Sequence, residues 1–347
     1  MRKASTPKPA SPRTEALAAL PDFLCIGAQK AGTTWLHRNL RAHPRIWMPP
    51  EKELHYFDEK IKERGWVPSR LLGKRPADKR WRRQLGARFK RASLDRSREA
   101  LAWDLRYFFG KPGDKWYASL FEQGRGKVTG ETTPDYAILD EETVAHVHEL
   151  MPQTKIILMM RNPIERPWSA MDMRLRIRGQ EVHEVKDRKF YRRFDNRGSR
   201  SRTDYLGTLE KWGAYYPQDR VFVGFLEDVH YFPRELLQKL YSFLGVDPAF
   251  EPPLSEKKIH SASRDAIPTR FAVHLARIYR EEIERLHERF GGYASFWLYC
   301  AERLIEEPPE EDLVPYPLYE SPLWEEWGGS QHIKAQSGPL SSVRAAS

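Results

Sequence analysis

The sequence predicts an α/β fold: a parallel β-sheet flanked by helices on both faces, enlarged by a basic insertion and a helical C-terminal part. Three observations point there. Four short runs, FLCIG (23–27), KVTGE (127–131), KIILMM (155–160) and RVFVGF (220–225), have the length and content of buried strands. Helical patterns precede or follow each run, and strands alternating with helices assemble as parallel neighbours joined by crossovers. The first run ends at Gly27 and passes through a glycine-containing turn straight into a helix.

The 347 residues suffice for a large core, and 40% hydrophobic with 12% aromatic residues excludes a chain disordered throughout. Lys and Arg outnumber Asp and Glu by 58 to 48, a net +10 that favours anionic partners: nucleotide, nucleic acid, lipid head group or polyanionic glycan. Cys25 and Cys300, the only cysteines, lie far apart, which argues against a disulfide framework and a zinc site and fits a reducing compartment. ALAAL near the N-terminus is too short for a signal-peptide core, and the longest apolar run elsewhere, Ile156 to Met160, has strand length. The expectation is a soluble, cytoplasmic protein.

In chain order, residues 1–20 read as a flexible leader, 21–305 as the globular domain and 306–347 as an acidic, then aromatic-rich tail. Trp35, Leu36 and Leu40 share one face of the helix that follows FLCIG. A long insertion, about 60–115, is strongly basic between residues 74 and 98 and reads as a solvated helical surface or a dock for an acidic acceptor or anionic membrane surface. WDLRYFFG (103–110) is a candidate wall of an acceptor pocket. Beyond residue 268, Phe271, Leu275, Ile278, Ile283 and Leu286 recur at helical spacing. Trp324 and Trp327 in the tail either pack back on the domain or meet a partner.

GAQKAGTTW (27–35) joins strand to helix, where uncapped backbone N–H groups and the helix dipole create an anion site. Gly27 and Gly32 let the backbone wrap an oxyanion, while Lys30, Thr33 and Thr34 add charge and hydroxyl donors. The glycine spacing is that of a nucleotide-kinase phosphate loop, but Thr33 follows Gly32 where such a loop has lysine. A Mg-nucleotide kinase is therefore disfavoured.

QKAGTTWL after a hydrophobic strand resembles the 5′-phosphosulfate loop of sulfotransferases that use 3′-phosphoadenosine 5′-phosphosulfate (PAPS). In RNPIERPWSA (161–170), Arg161 and Ser169 match the arginine and serine that grip the 3′-phosphate in that family. An arginine at a strand's carboxyl end and a hydroxyl one helix entry later are able to converge on one phosphate; a structural ion pair with Glu165 is the other use for Arg161. The resemblance implies a P-loop-like sheet, donor contacts from Lys30, Ala31, Gly32, Thr33 and Thr34, and Trp35 against adenine.

EKELHYFD (51–58) is similar to the Glu-x-His-x-x-Asp pattern of heparan-sulfate-type and related bacterial enzymes, with Glu53, His55 and Asp58 at the matching positions. Alternation in an extended segment would put Glu53 and His55 on one face. The reading makes Glu53 the general base, its pKa raised toward working pH by partial burial, with His55 orienting and Asp58 fixing the geometry. Lys30 neutralises the leaving phosphate, and transfer to an acceptor hydroxyl or amine yields 3′,5′-ADP without a required metal.

The sequence departs from relatives at Thr132 in GETTPDY, where some carry lysine, and Lys257, Lys258 and Arg264 are only weak candidates for the loop over the 3′-phosphate. A glycan, lipid or other small molecule is the expected acceptor, with no specific nucleic-acid partner. The alternatives are a kinase-like phosphotransferase and a basic nucleic-acid-binding protein using residues 74–98.

Overall fold

A computed structural model describes residues 19–58, 67–90, 98–253, 265–329 and 334–343. Lys257, Lys258 and Arg264 lie outside these residues, as do most of the leader and Arg91 and Arg96 of the basic insertion. The strands are β1 Phe23–Gly27, β2 Ile46–Trp47, β3 Val128–Thr132, β4 Lys155–Met160, β5 Val221–Phe225, β6 Ala266–Pro268, β7 Leu313–Pro315 and β8 Gly338–Pro339. Six of them form one sheet in the order β2-β3-β1-β4-β5-β8, parallel except that β8 runs antiparallel to β5. β6 and β7 pair separately as an antiparallel ribbon.

Central parallel strands are covered on both faces, which is why they read as continuous apolar runs. Phe23 to Ile26 and Ile156 to Met160 have no exposed surface. The helix Thr33–Ala42 lies against the sheet through Trp35, Leu36 and Leu40. Phe271, Leu275, Ile283 and Leu286 are buried on the helix Thr269–Phe290, whereas Ile278 is only partly covered and Tyr279 takes the core position beside it. That helix packs against Gly292–Glu306.

The insertion is helical where described, over Val67–Leu72, Pro76–Lys90 and Arg98–Phe109. Arg82 donates to the carbonyls of Arg70, Leu71 and Gly73, closing the carboxyl end of Val67–Leu72. Within WDLRYFFG, Trp103, Tyr107 and Phe108 are buried and join the core, while Leu105 and Phe109 are exposed.

Residues 313–329 and 334–339 pack back on the domain. Trp324 stacks on Tyr231 and meets Phe296 edge-on, with Trp327 5.5 Å from it. Asp228, fully buried, accepts from Tyr293 Oη, Gln336 N, Ser337 N and Ser337 Oγ within 2.5–2.9 Å, fixing the chain that enters β8. Among the described residues no helix is long and apolar enough to cross a membrane.

Candidate active site

β1 lies between β3 and β4, so the turns leaving these three strands open at one edge, the place where open α/β sheets hold ligands. The turn after β1 runs tightly through Ala28 to Gly32. Lys30 and Gly32 have φ of 75° and 81°, and a Cβ on Gly27 would sit 2.9 Å from that of Ala137. The helix Thr33–Ala42 begins with no side-chain cap, leaving its first N–H groups for an anion. Ala31 and Thr33 are buried and Thr34 is half-buried. Lys30 Nζ lies 3.5 Å from Met173 Sδ and makes no ion pair among the described residues. Burial, followed by the fields of Arg161 and Arg176, pulls its pKa down to about 8. This is a cation placed to be completed by an anion.

Trp35 is 4% exposed within the helix–sheet core. Its helix face points at the sheet, which gives it a packing role.

Arg161 leaves the carboxyl end of β4 and is 8% exposed. Its Nε donates to Glu165 at 2.9 Å and one terminal nitrogen donates to the Lys30 carbonyl at 3.1 Å, locking the β1 and β4 turns together. The other donates to Tyr316 Oη at 2.5 Å, and the same hydroxyl hydrogen-bonds Ser169. Tyr316 comes from the tail, and its ring lies 5.2 Å from the guanidinium carbon. Glu165 also accepts from Leu318 N at 2.5 Å. Thus Arg161 and Ser169 do converge on one oxygen, that of a tail tyrosine, while the Glu165 ion pair exists beside it.

The segment 51–58 lies against the end of β3, with Glu53 N donating to Thr132 O at 3.1 Å. It is not an extended strand: Glu53 and His55 have φ of 66° and 53°. Left-handed turns, not strand alternation, bring Glu53 Oε2 to 3.5 Å from His55 Nε2, and His55 Nδ1 lies 2.5 Å from Asp58 Oδ2. Lys52 Nζ donates to Glu53 Oε1 at 2.6 Å. Burial pushes the Glu53 carboxyl upward, but the His55 hydrogen bond and the Lys52 ammonium outweigh it and bring the pKa down to about 2. The expected rise toward working pH is therefore reversed, because the carboxylate sits between two donors, the Lys52 ammonium and the His55 ring. His55, Asp58 and Asp135 bring one possible metal-ligating atom each within 4.8 Å of the others, yet Asp135 is tied to Arg202 at 2.8 Å.

A layer missed by sequence reasoning supports this segment. Glu131, buried at the end of β3, accepts from Tyr117 Oη at 2.5 Å, Thr133 Oγ1 at 2.7 Å and Tyr136 Oη at 3.0 Å. Tyr136 in turn accepts from Tyr56 N at 2.9 Å, so Glu131 positions the chain just past His55. Burial raises its pKa, opposed by these hydroxyl donors. GETTPDY drew attention for Thr132, whereas its Glu131 and Tyr136 carry the network. The insertion braces the same segment: Gln84 donates to Glu51 at 2.9 Å, with Arg88 at 3.7 Å.

The turn after β1, with its uncapped helix start, and the Arg161–Ser169 pair after β4 thus meet at the carboxyl edge of an α/β sheet. Residues 21–252 match the profile of the sulfotransferase family, and the chain belongs to that family. It is 27% identical over 157 residues to the membrane-associated sulfotransferase kil1 of Dictyostelium discoideum, a match spanning 44% of this chain and 23% of that relative's length. A sulfotransferase from Alicyclobacillus acidocaldarius superposes with a TM-score of 0.53 at 23% identity, covering 78% of this chain and 95% of that one. The sulfotransferase domain of the Synechococcus PCC 7002 olefin synthase gives 0.46 at 20% identity, over 75% and 94%.

Proposed function

We propose that the protein transfers the sulfuryl group of PAPS to a hydroxyl or amine of an acceptor, a glycan, lipid or other small molecule, in the cytoplasm. The observation that carries the reading is the Arg161–Lys30 carbonyl bond, which joins the turn after β1 to the turn after β4, the two turns the reading assigns to the 5′ and 3′ ends of the nucleotide. The unpaired Lys30 and the uncapped helix start fit the 5′ end; Arg161 and Ser169, once Tyr316 yields, fit the 3′ end.

Bound PAPS supplies an activated sulfuryl group whose leaving phosphate gains charge as the bond to sulfur lengthens. Lys30 neutralises that charge, and the helix N–H groups share it. Glu53 is the acceptor-side base. Proton transfer in a loose sulfuryl displacement comes late, so a weakly basic carboxylate serves, as aspartate does in kinases. Lys52 must release one Glu53 oxygen to the incoming acceptor, and His55 with Asp58 holds the other oxygen in place. Glu53 thus takes the proton that the attacking oxygen or nitrogen sheds.

The test compares 3′,5′-ADP, 5′-ADP and Mg-ATP by thermal shift. At a ligand concentration about 100 times its dissociation constant, linkage gives roughly 2.7 kcal/mol of stabilisation. Stabilisation specific to 3′,5′-ADP supports the reading, and turnover of PAPS with screened acceptors completes it. Stabilisation by Mg-ATP alone overturns it in favour of a phosphotransferase.

A further inference from the structure

The helix Glu165–Ile177 has two working faces. Ser169, Asp172 and Met173 lie on the side facing Lys30 and the Arg161 clamp. Met171, Arg174, Leu175 and Arg178, spaced i, i+3, i+4, i+7, lie on the opposite side and line a cavity of about 650 Å³. The helix Asp187–Phe194 closes it, turning Lys189, Arg192 and Arg193 inward while Phe190 and Phe194 enter the core. Met171, Leu175 and Val185 are buried and give the cavity an apolar floor.

The wall carries five cationic side chains and no carboxylate. Among the described residues, none of the five makes an ion pair or a side-chain hydrogen bond. Neighbouring arginines do find acids: Arg176 pairs with Asp172 at 3.1 Å and Arg202 with Asp135 at 2.8 Å. Behind the wall, Arg166 is 1% exposed and, among the described residues, its hydrogen bonds go to neutral oxygens of Thr203, Ser199 and Tyr279. Arg193 is half-buried, and burial with the fields of Arg174, Arg202 and Arg166 presses its pKa down. Uncompensated charge gathered in a concave site is held apart at a cost that a bound anion removes.

We propose that this cavity is a second anion site, separate from the donor clamp, that binds a compact polyanion carrying several phosphate or sulfate groups. One monovalent oxyanion would leave most of the wall unpaired, and the volume falls in the range of small-molecule sites. Arg174 and Arg193 provide forked donors from opposite helices, and the exposed Lys189, Arg192 and Arg178 close over the entering charges.

Titration calorimetry with tripolyphosphate and, in a second arm, a trisulfated disaccharide tests this, each with and without saturating 3′,5′-ADP. The arms tell a phosphate ligand from a sulfate ester. Binding tighter than that of inorganic sulfate, unaffected by 3′,5′-ADP and weakened at least tenfold in Arg174→Gln/Arg193→Gln, is expected. The exposed pair Lys189→Gln/Arg192→Gln should weaken it similarly without touching the core. Relief of repulsion should also raise the melting midpoint of the ligand-free double variants. No binding beyond that of sulfate, displacement by 3′,5′-ADP, or binding indifferent to the exposed pair overturns the proposal. If 3′,5′-ADP itself fails to bind, the donor assignment falls, and the polyanion arms without it still decide this one.

Discussion

Replacing Lys30 with arginine should abolish a proton-uptake step that accompanies nucleotide binding to the native protein. With its pKa near 8, the lysine is about three-quarters neutral at pH 8.5 in the free protein. A phosphate beside it restores the charge, so each binding event should take up about 0.75 proton, the ligand's own phosphates being already ionised there. Calorimetric titration of 3′,5′-ADP in buffers of different ionisation enthalpy reads this number as a slope. Lys30→Arg keeps the cation but does not titrate, so its slope should be near zero. Uptake persisting in the arginine variant, or missing from the native protein, would refute the placement of Lys30 at the phosphate. The sign for stability follows. The folded pKa lies below the ordinary 10.5, so the unfolded chain binds more protons between about 8 and 10.5 and ligand-free stability rises with pH across that window. Lys30→Met should accordingly raise the ligand-free melting midpoint at pH 7 while removing nucleotide binding.

Glu53→Gln should lower kcat at least a hundredfold and leave 3′,5′-ADP affinity within about twofold; wild-type turnover would remove Glu53 as the base. Because its pKa is about 2, Glu53 stays ionised above pH 3 and should contribute no acidic limb between pH 4 and 6 in a kcat/KM profile, a claim checked by comparing native enzyme with Glu53→Asp. Tyr316→Phe frees Arg161 and Ser169 from the hydroxyl that binds both, and should tighten 3′,5′-ADP about fivefold while costing about 1 kcal/mol in the free protein. Weaker nucleotide binding would instead make Tyr316 part of the ligand site. Arg161→Lys, which keeps a charge beside buried Glu165, should weaken 3′,5′-ADP at least tenfold through the lost fork; unchanged affinity would place the 3′-phosphate elsewhere.

The parallel strands were legible because FLCIG and KIILMM are buried on both faces and so carry unbroken apolar character. β8 was not, since Gly338–Pro339 has neither pattern nor length and pairs only because Asp228 anchors the chain beside it. The loop motif located Lys30, and the spacing of Arg161 and Ser169, read as a grip on one phosphate, does bring the two side chains together, here on a tyrosine hydroxyl. Nothing in that spacing could show Tyr316, 155 positions from Arg161, filling the same point. EKELHYFD marked Glu53 and His55 correctly as neighbours, but for the wrong local reason: positive φ at both positions replaces strand alternation. The pKa direction failed with it, since Lys52 reads as a solvated charge until the turn folds it onto Glu53.

The tail that supplies Tyr316 has a consequence for synthesis. Lys30, Arg161 and Ser169 are all synthesised by position 169, yet the hydroxyl and amide that engage Arg161 and Glu165 arrive with Tyr316 and Leu318. A nascent chain paused before Leu313 would hold the five parallel strands without β8, and an unstrapped Arg161. An oxyanion reaching Arg161 and Ser169 during that interval would meet a more open pair than the finished protein offers, so order of assembly, as well as final geometry, governs when that pair is first covered.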